Sequence, residues 1–274
     1  MERIMRITMC PVWITVLLAA CNTNPSSEAV AMDKELVKGI AATQDIKKEK
    51  EPFLGAFPVD GQLPMKILST GTFHEEEVWE GAEKEAWMGL FKGGEGYYLA
   101  PASVQATKVF DPLVDEDDSE KTGWQVTTSN PDNTILLMEA QLCKRAGSVQ
   151  ALPLSKDVLY PGDSLPFSYG GENYVLFATG ETGKEAPDVK NYKLYLSSVI
   201  NKKKKTTILT AQPSFDDRMI RLLFIGDLDG DKKPDLLIDT SPHYNMQKPT
   251  LYLSGAAGKD EIIKPVAAHR FVGC

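Results

Sequence analysis

The chain has 274 residues, 42% hydrophobic and 25% charged, with a formal net charge of −8. Its only basic run is Lys202-Lys203-Lys204-Lys205. Nucleic-acid binding needs clustered Lys and Arg, so no nucleic-acid partner is expected. No Cys-x-x-Cys occurs, which removes a thioredoxin-like redox role.

In chain order, Arg3 and Arg6 form a basic start. A 14-residue apolar run follows, Ile7 to Ala20, and ends in Leu18-Ala19-Ala20-Cys21. A basic segment, a short greasy segment and small residues at a cut site make an export signal. The run is shorter than the ~20 residues that span a bilayer. The Leu-Ala-Ala-Cys ending resembles the lipobox of bacterial lipoproteins. That resemblance implies cleavage before Cys21, acylation of Cys21 (palmitate among the acyl chains) and membrane attachment through the N-terminal lipid. Residues 1–20 are then the signal peptide. Their loss removes Glu2, Arg3 and Arg6 and takes the formal charge from −8 to −9. Asn22 stands where enteric-type bacteria place an Asp to retain lipoproteins at the inner membrane, so the family rule implies the outer membrane, on either its surface or periplasmic face. Two or more acyl chains anchor far better than one.

Residues 21–52 read as a lipidated tether: polar Asn22 to Ser27, then charged Lys47 to Glu51. Met32, Leu36, Val37 and Ile40 between them fall at helical spacing. With Cys10 in the signal and Cys21 lipidated, Cys143 and Cys274 remain. An even pair in an exported chain predicts a disulfide, closing a loop worth roughly 4–5 kcal/mol in the chain-entropy model.

From Phe53 the pattern changes to short apolar or alternating runs bounded by Gly, Pro, Asn and Asp. Strands are expected at 64–70, 86–92, 95–100, 103–110, 123–128, 134–139, 173–178, 191–199, 206–211, 220–226, 235–239 and 249–254. Turn signals fall at Gly93-Gly94, Asn130-Pro131, Gly170-Gly171 and Gly230-Asp231. The spacing predicts a mainly β globular domain over 53–274, a sandwich or a partial, propeller-like stack of sheets. Acidic residues 111–122 read as an exposed loop and a candidate sub-boundary, and Lys202–Lys205 as a solvated hairpin tip. Trp79, Trp87, Trp124 and Tyr97-Tyr98 suit either a stacking surface for a ligand or, more commonly in β domains, core and cross-strand pairs.

One segment carries chemistry: Phe224-Ile225-Gly226-Asp227-Leu228-Asp229-Gly230-Asp231-Lys232-Lys233-Pro234-Asp235-Leu236-Leu237-Ile238-Asp239. Asp227, Asp229, Asp231 and Asp235 occupy positions 1, 3, 5 and 9 of a loop. Carboxylates at alternate positions of a tight turn can face one hard cation, with the carbonyl of Lys233 at position 7 as a further oxygen. Calcium suits such a cage better than magnesium. Position 12 is Ile238, where an EF-hand carries Glu, and the flanks are strand-like. The segment resembles the FG-GAP repeat of integrin-type and related bacterial surface proteins, which implies a structural calcium ion between two strands. It departs at Lys232, position 6, where the family usually has Gly; a left-handed backbone there costs a non-Gly residue roughly 1 kcal/mol or more. The alternative is a plain Asp- and Gly-rich turn. A degenerate second copy is expected at Val175–Asp188, aligned on 222–235, with Leu194–Ser197 matching Leu251–Ser254.

Catalytic signals are weak. Gly162-Asp163-Ser164-Leu165 spells a GDSL esterase motif but lies mid-chain, and neither His243 nor His269 has an Asp three residues before it. Thr179–Lys184 lacks the first Gly and final Ser/Thr of a P-loop. His74, His243 and His269 have no metal-ligand spacing. The reading is a non-enzymatic lipoprotein with one calcium site, acting as a surface or periplasmic binding or structural module toward a protein or glycan ligand. A periplasmic hydrolase, or an envelope-maintenance lipoprotein without metal, is the alternative.

Overall fold

A computed structural model describes residues 55–59, 61–117, 119–143, 145–183, 188–200 and 202–272. The signal peptide, Cys21, the tether and Cys274 lie outside the described residues. The first half carries β1 (Ile67–Leu68), β2 (Gly71–Phe73), β3 (Trp87–Gly93), β4 (Gly96–Ala102), β5 (Val104–Val109), β6 (Gly123–Thr128), β7 (Thr134–Glu139) and β8 (Gly147–Val149). The second carries β9 (Ser164–Tyr169), β10 (Glu172–Thr182), β11 (Val189–Ile200), β12 (Lys203–Ser214), β13 (Arg221–Gly226), β14 (Asp235–Asp239), β15 (Met246–Gln247), β16 (Pro249–Leu253), β17 (Lys264–Ala268) and β18 (Phe271–Val272). They form antiparallel sheets in the orders β2-β6-β5, β1-β7-β3-β4-β8, β13-β14-β16-β17 and β12-β11-β10-β9, with a β15-β18 ribbon. Among the described residues no helix is long and apolar enough to cross a membrane.

Side-chain alternation stacks these sheets. On β14, Leu236 and Ile238 join Leu176, Leu194, Leu196 and Tyr252 in a core shared with the β9–β12 sheet. Leu237, between them, points the other way and packs with Ile67, Leu90 and Met138. Neighbouring residues of β7 divide likewise: Met138 faces this second core, while Leu137 joins Phe73, Trp87 and Trp124 in a third. A period of two on a strand with both faces covered yields an unbroken apolar run, and both β14 and β16 are buried throughout. The result is a mainly β stack of sheets, as the sequence pattern predicts.

Turn chemistry follows the sequence. Tyr169 and Glu172 pair across Gly170-Gly171, whose φ values of 57° and 85° suit a two-residue primed turn. Ile200 pairs with Lys203, so the lysine run starts at a solvated hairpin tip. The 111–122 stretch joins β5 to β6, neighbours in one sheet. The proposed repeat holds only in part: 222–226 ends at the acidic loop, but 175–178 lies on β10, which runs on to Thr182 through the residues aligned on Asp227–Asp229. Leu194–Ser197 lies on β11, while Leu251–Leu253 lies on β16, two strands after its loop in the same sheet. Trp87 and Trp124 are buried, and Tyr98 stacks on Phe91 of the paired strand at 5.3 Å. These aromatics are packing elements.

His269 is buried against Phe73 and Phe271. Its Nδ1 accepts from the Ser69 N–H and its Nε2 donates to the Glu77 carbonyl. Burial pushes its pKa down to about 4, only partly offset by the Glu77 bond. In this range the unfolded chain binds a proton that the folded one excludes. His269 therefore contributes stability above the ordinary histidine value that is lost as pH falls from about 6.5 towards 4. Thermal unfolding between pH 7 and 4.5 is expected to fall more steeply for the wild type than for His269→Gln; equal slopes would remove this assignment.

Candidate metal centre

β13 delivers the chain to Asp227 and β14 receives it at Asp235, which pairs with Gly226. Between them the loop winds its own amides onto its carboxylates. Asp227 accepts from Gly230 N at 2.7 Å and Lys232 N at 3.1 Å; Asp229 accepts from Asp231 N at 3.1 Å. Asp235 reaches back to accept from Leu228 N at 2.6 Å and Asp229 N at 3.1 Å. Asp227, Asp229 and Asp235 are each at most 4% exposed, and one oxygen of each lies within 4.8 Å of the others.

Distant segments complete the site. Ser254, just after β16, donates its N–H (2.8 Å) and hydroxyl (3.0 Å) to Asp235, and Gly255 N–H donates to Asp229 at 3.0 Å. A Cβ on Gly255 would stand 2.2 Å from that Asp229 oxygen, so only glycine admits this approach. The Tyr169 hydroxyl accepts from Asp227 N at 2.9 Å while donating to the Gln150 carbonyl. Gly170 abuts the Lys232 carbonyl, where a Cβ would come within 2.3 Å. Arg145 sets a guanidinium nitrogen 3.5 Å from Asp227.

Of the predicted ligands, Asp227, Asp229 and Asp235 converge. Asp231 stands beside them, bonded to the Ser254 hydroxyl (2.9 Å) and to the Lys233 N–H and ammonium (2.8 and 3.3 Å). Lys233 itself is exposed at the lip. Lys232 has φ +69°, a left-handed backbone that favours glycine. Lys232→Gly is expected to raise stability by about 0.5–1 kcal/mol, the relieved strain outweighing the added freedom of the unfolded chain. Denaturant unfolding checks this; a loss of stability would contradict it.

Electrostatics fit a cation-binding loop. Burial, then the neighbouring Asp229 charge, raises the Asp235 carboxyl to about 7, although backbone amides pull the other way. Burial and Asp231 also raise Asp229. An ionised carboxylate offers about four lone-pair positions. Asp235 uses four in hydrogen bonds, whereas Asp229 has two such bonds. Asp229 and Asp227 thus retain acceptor capacity for a hard ion, and Asp235 adds charge and holds the loop. The donor set is all oxygen, as calcium prefers.

Cys143 follows a short 3-10 turn and is a buried free thiol, pushed up to about 12 by burial and by Asp235 and Asp229. The expected Cys143–Cys274 bond is thus not made at Cys143 in this structure: the thiol packs among apolar neighbours in the second core. Elsewhere, Asp163 accepts from Tyr160 N and pairs with Lys156, making Gly162-Asp163 the turn into β9, with Ser164 exposed at its start. His74 lies on buried Asp111 at 2.8 Å, and His243 on exposed Asp216 at 2.8 Å. The three histidines sit in separate environments.

Fold and site together define a class of protein: a mainly β stack of antiparallel sheets with an acidic strand–loop–strand unit on one of its two inner sheets. No protein-family model, curated protein or solved structure matches the chain.

Proposed function

We propose that this chain is a lipid-anchored bacterial envelope protein, attached through Cys21 and sited at the outer membrane. Its stacked-sheet domain serves as a binding or structural module braced by one calcium ion. Asp227 and Asp229 hold the ion directly, Asp235 adds its charge and fixes the loop, and Asp231 and the Lys233 carbonyl are in support. The role of calcium is structural: it neutralises buried carboxylates and stabilises the folded state by mass action. The observation that carries this reading is the convergence of three buried carboxylates within 4.8 Å. Three such charges repel one another in a weakly screened interior, and a divalent cation turns that repulsion into attraction.

The test is calcium titration calorimetry with thermal unfolding of residues 22–274, beside an Asp229→Ala/Asp231→Ala variant. Saturable one-site binding and a raised melting point, both lost in the variant, are expected. No heat and no shift in millimolar calcium would reduce the loop to an acidic turn. The anchor is tested separately, by incorporation of labelled palmitate that Cys21→Ser abolishes.

A further inference from the structure

The buried trio has one ion-pair partner among the described residues. Arg145 places Nη2 3.5 Å from Asp227 Oδ2, and its Nε and Cδ run 3.6 and 3.8 Å from where a Cβ on Gly230 would stand. Its side chain thus lies along the loop. Lys233 directs its ammonium to Asp231 instead. Arg145 is 55% exposed, so its guanidinium can move into water at little cost.

We propose that Arg145 is the built-in counter-cation of the calcium-free loop, and that calcium binds by displacing it. This inference rests on the calcium reading above. A guanidinium and a divalent ion beside the same Asp227 carboxylate repel each other, so the two states exclude one another. Arg145 stabilises the loop without calcium and, by the same interaction, lowers its affinity for calcium. Affinity is then set by a residue outside the loop sequence, on the connection between β7 and β8.

Calorimetry with calcium chloride, and thermal unfolding with and without calcium, are run on wild type, Arg145→Ala, Arg145→Gln and Arg145→Lys. The neutral variants are expected to melt lower than wild type without calcium. They are also expected to bind calcium about fivefold more tightly, the size of effect that loss of one partly exposed ion pair gives. Arg145→Lys, which keeps the charge, is expected to stay near wild type. Wild-type binding with equal or weaker affinity in the neutral variants would overturn the displacement model while leaving the calcium site standing. Absence of binding in every protein would overturn both. Binding in the neutral variants alone would support the model in its strongest form.

Discussion

Asp235→Ala is expected to lower stability by about 3 kcal/mol, because four donors converge on this one buried carboxylate. The amides of Leu228, Asp229 and Ser254 would lose their acceptor in space closed to water, while the Ser254 hydroxyl keeps Asp231. Each orphaned buried donor costs about 1–3 kcal/mol. Relief of repulsion with Asp229 returns part of this, which keeps the estimate at the lower end. Asn is no remedy. Its carbonyl can serve one pair of donors, but its NH2 then faces the other pair, donor against donor. For a domain of this size, about 3 kcal/mol corresponds to roughly 10 °C in melting temperature. Near-ultraviolet circular dichroism on Asp235→Ala and Asp235→Asn reads it directly; shifts below about 2 °C would show that the network contributes little.

The second large effect couples calcium to pH. Asp235 titrates at about 7 in the folded protein, and Asp229 is raised as well. An unfolded aspartate titrates near 4. With the folded values raised, these groups contribute stability that is fully present below about 4 and is lost as pH rises through about 7. Calcium needs the ionised forms, so its binding must expel the proton and its affinity must rise over the same interval. The melting-point gain from calcium is therefore expected to be larger at pH 8 than at pH 5.5. Affinity is expected to drop up to about tenfold per pH unit where one proton is displaced. His269 titrates in the opposite sense but lies away from the loop, so it cancels in the comparison with and without calcium. Calorimetry in two buffers of unlike ionisation heat counts the released proton. Affinity that is flat from pH 5.5 to 8 would sink the coupling.

The fold was legible wherever both faces of a strand are covered or clean turns bound it. Leu236-Leu237-Ile238 and Leu251-Tyr252-Leu253 are unbroken apolar runs because each lies in a sheet packed on both sides. β9 escaped notice because Pro166 interrupts it and a proline within a run argues against a central strand; β9 is an edge strand, where proline is tolerated. β17, with Pro265, is an edge of the same kind, and β2 and β8 have three residues each, too short for any period to register. The acidic loop was readable because all four carboxylates are local. Its supporting cast was not. Tyr169, Arg145 and Ser254 lie 58, 82 and 19 residues from their aspartate partners, at a strand end and on connections whose local sequence carries no mark of the contact.

The double-sided burial of this inner sheet, the one that carries β14, has a kinetic corollary. An amide on β5, at the rim of an end sheet, can trade its hydrogen with solvent after local fraying of one strand pair. An amide on β14 has β13 and β16 as hydrogen-bonded neighbours and a packed layer above and below. Nothing short of parting those layers admits water to it. Deuterium should therefore enter the stack from its outer sheets inward, with β14 and β16 last and at the rate of global unfolding.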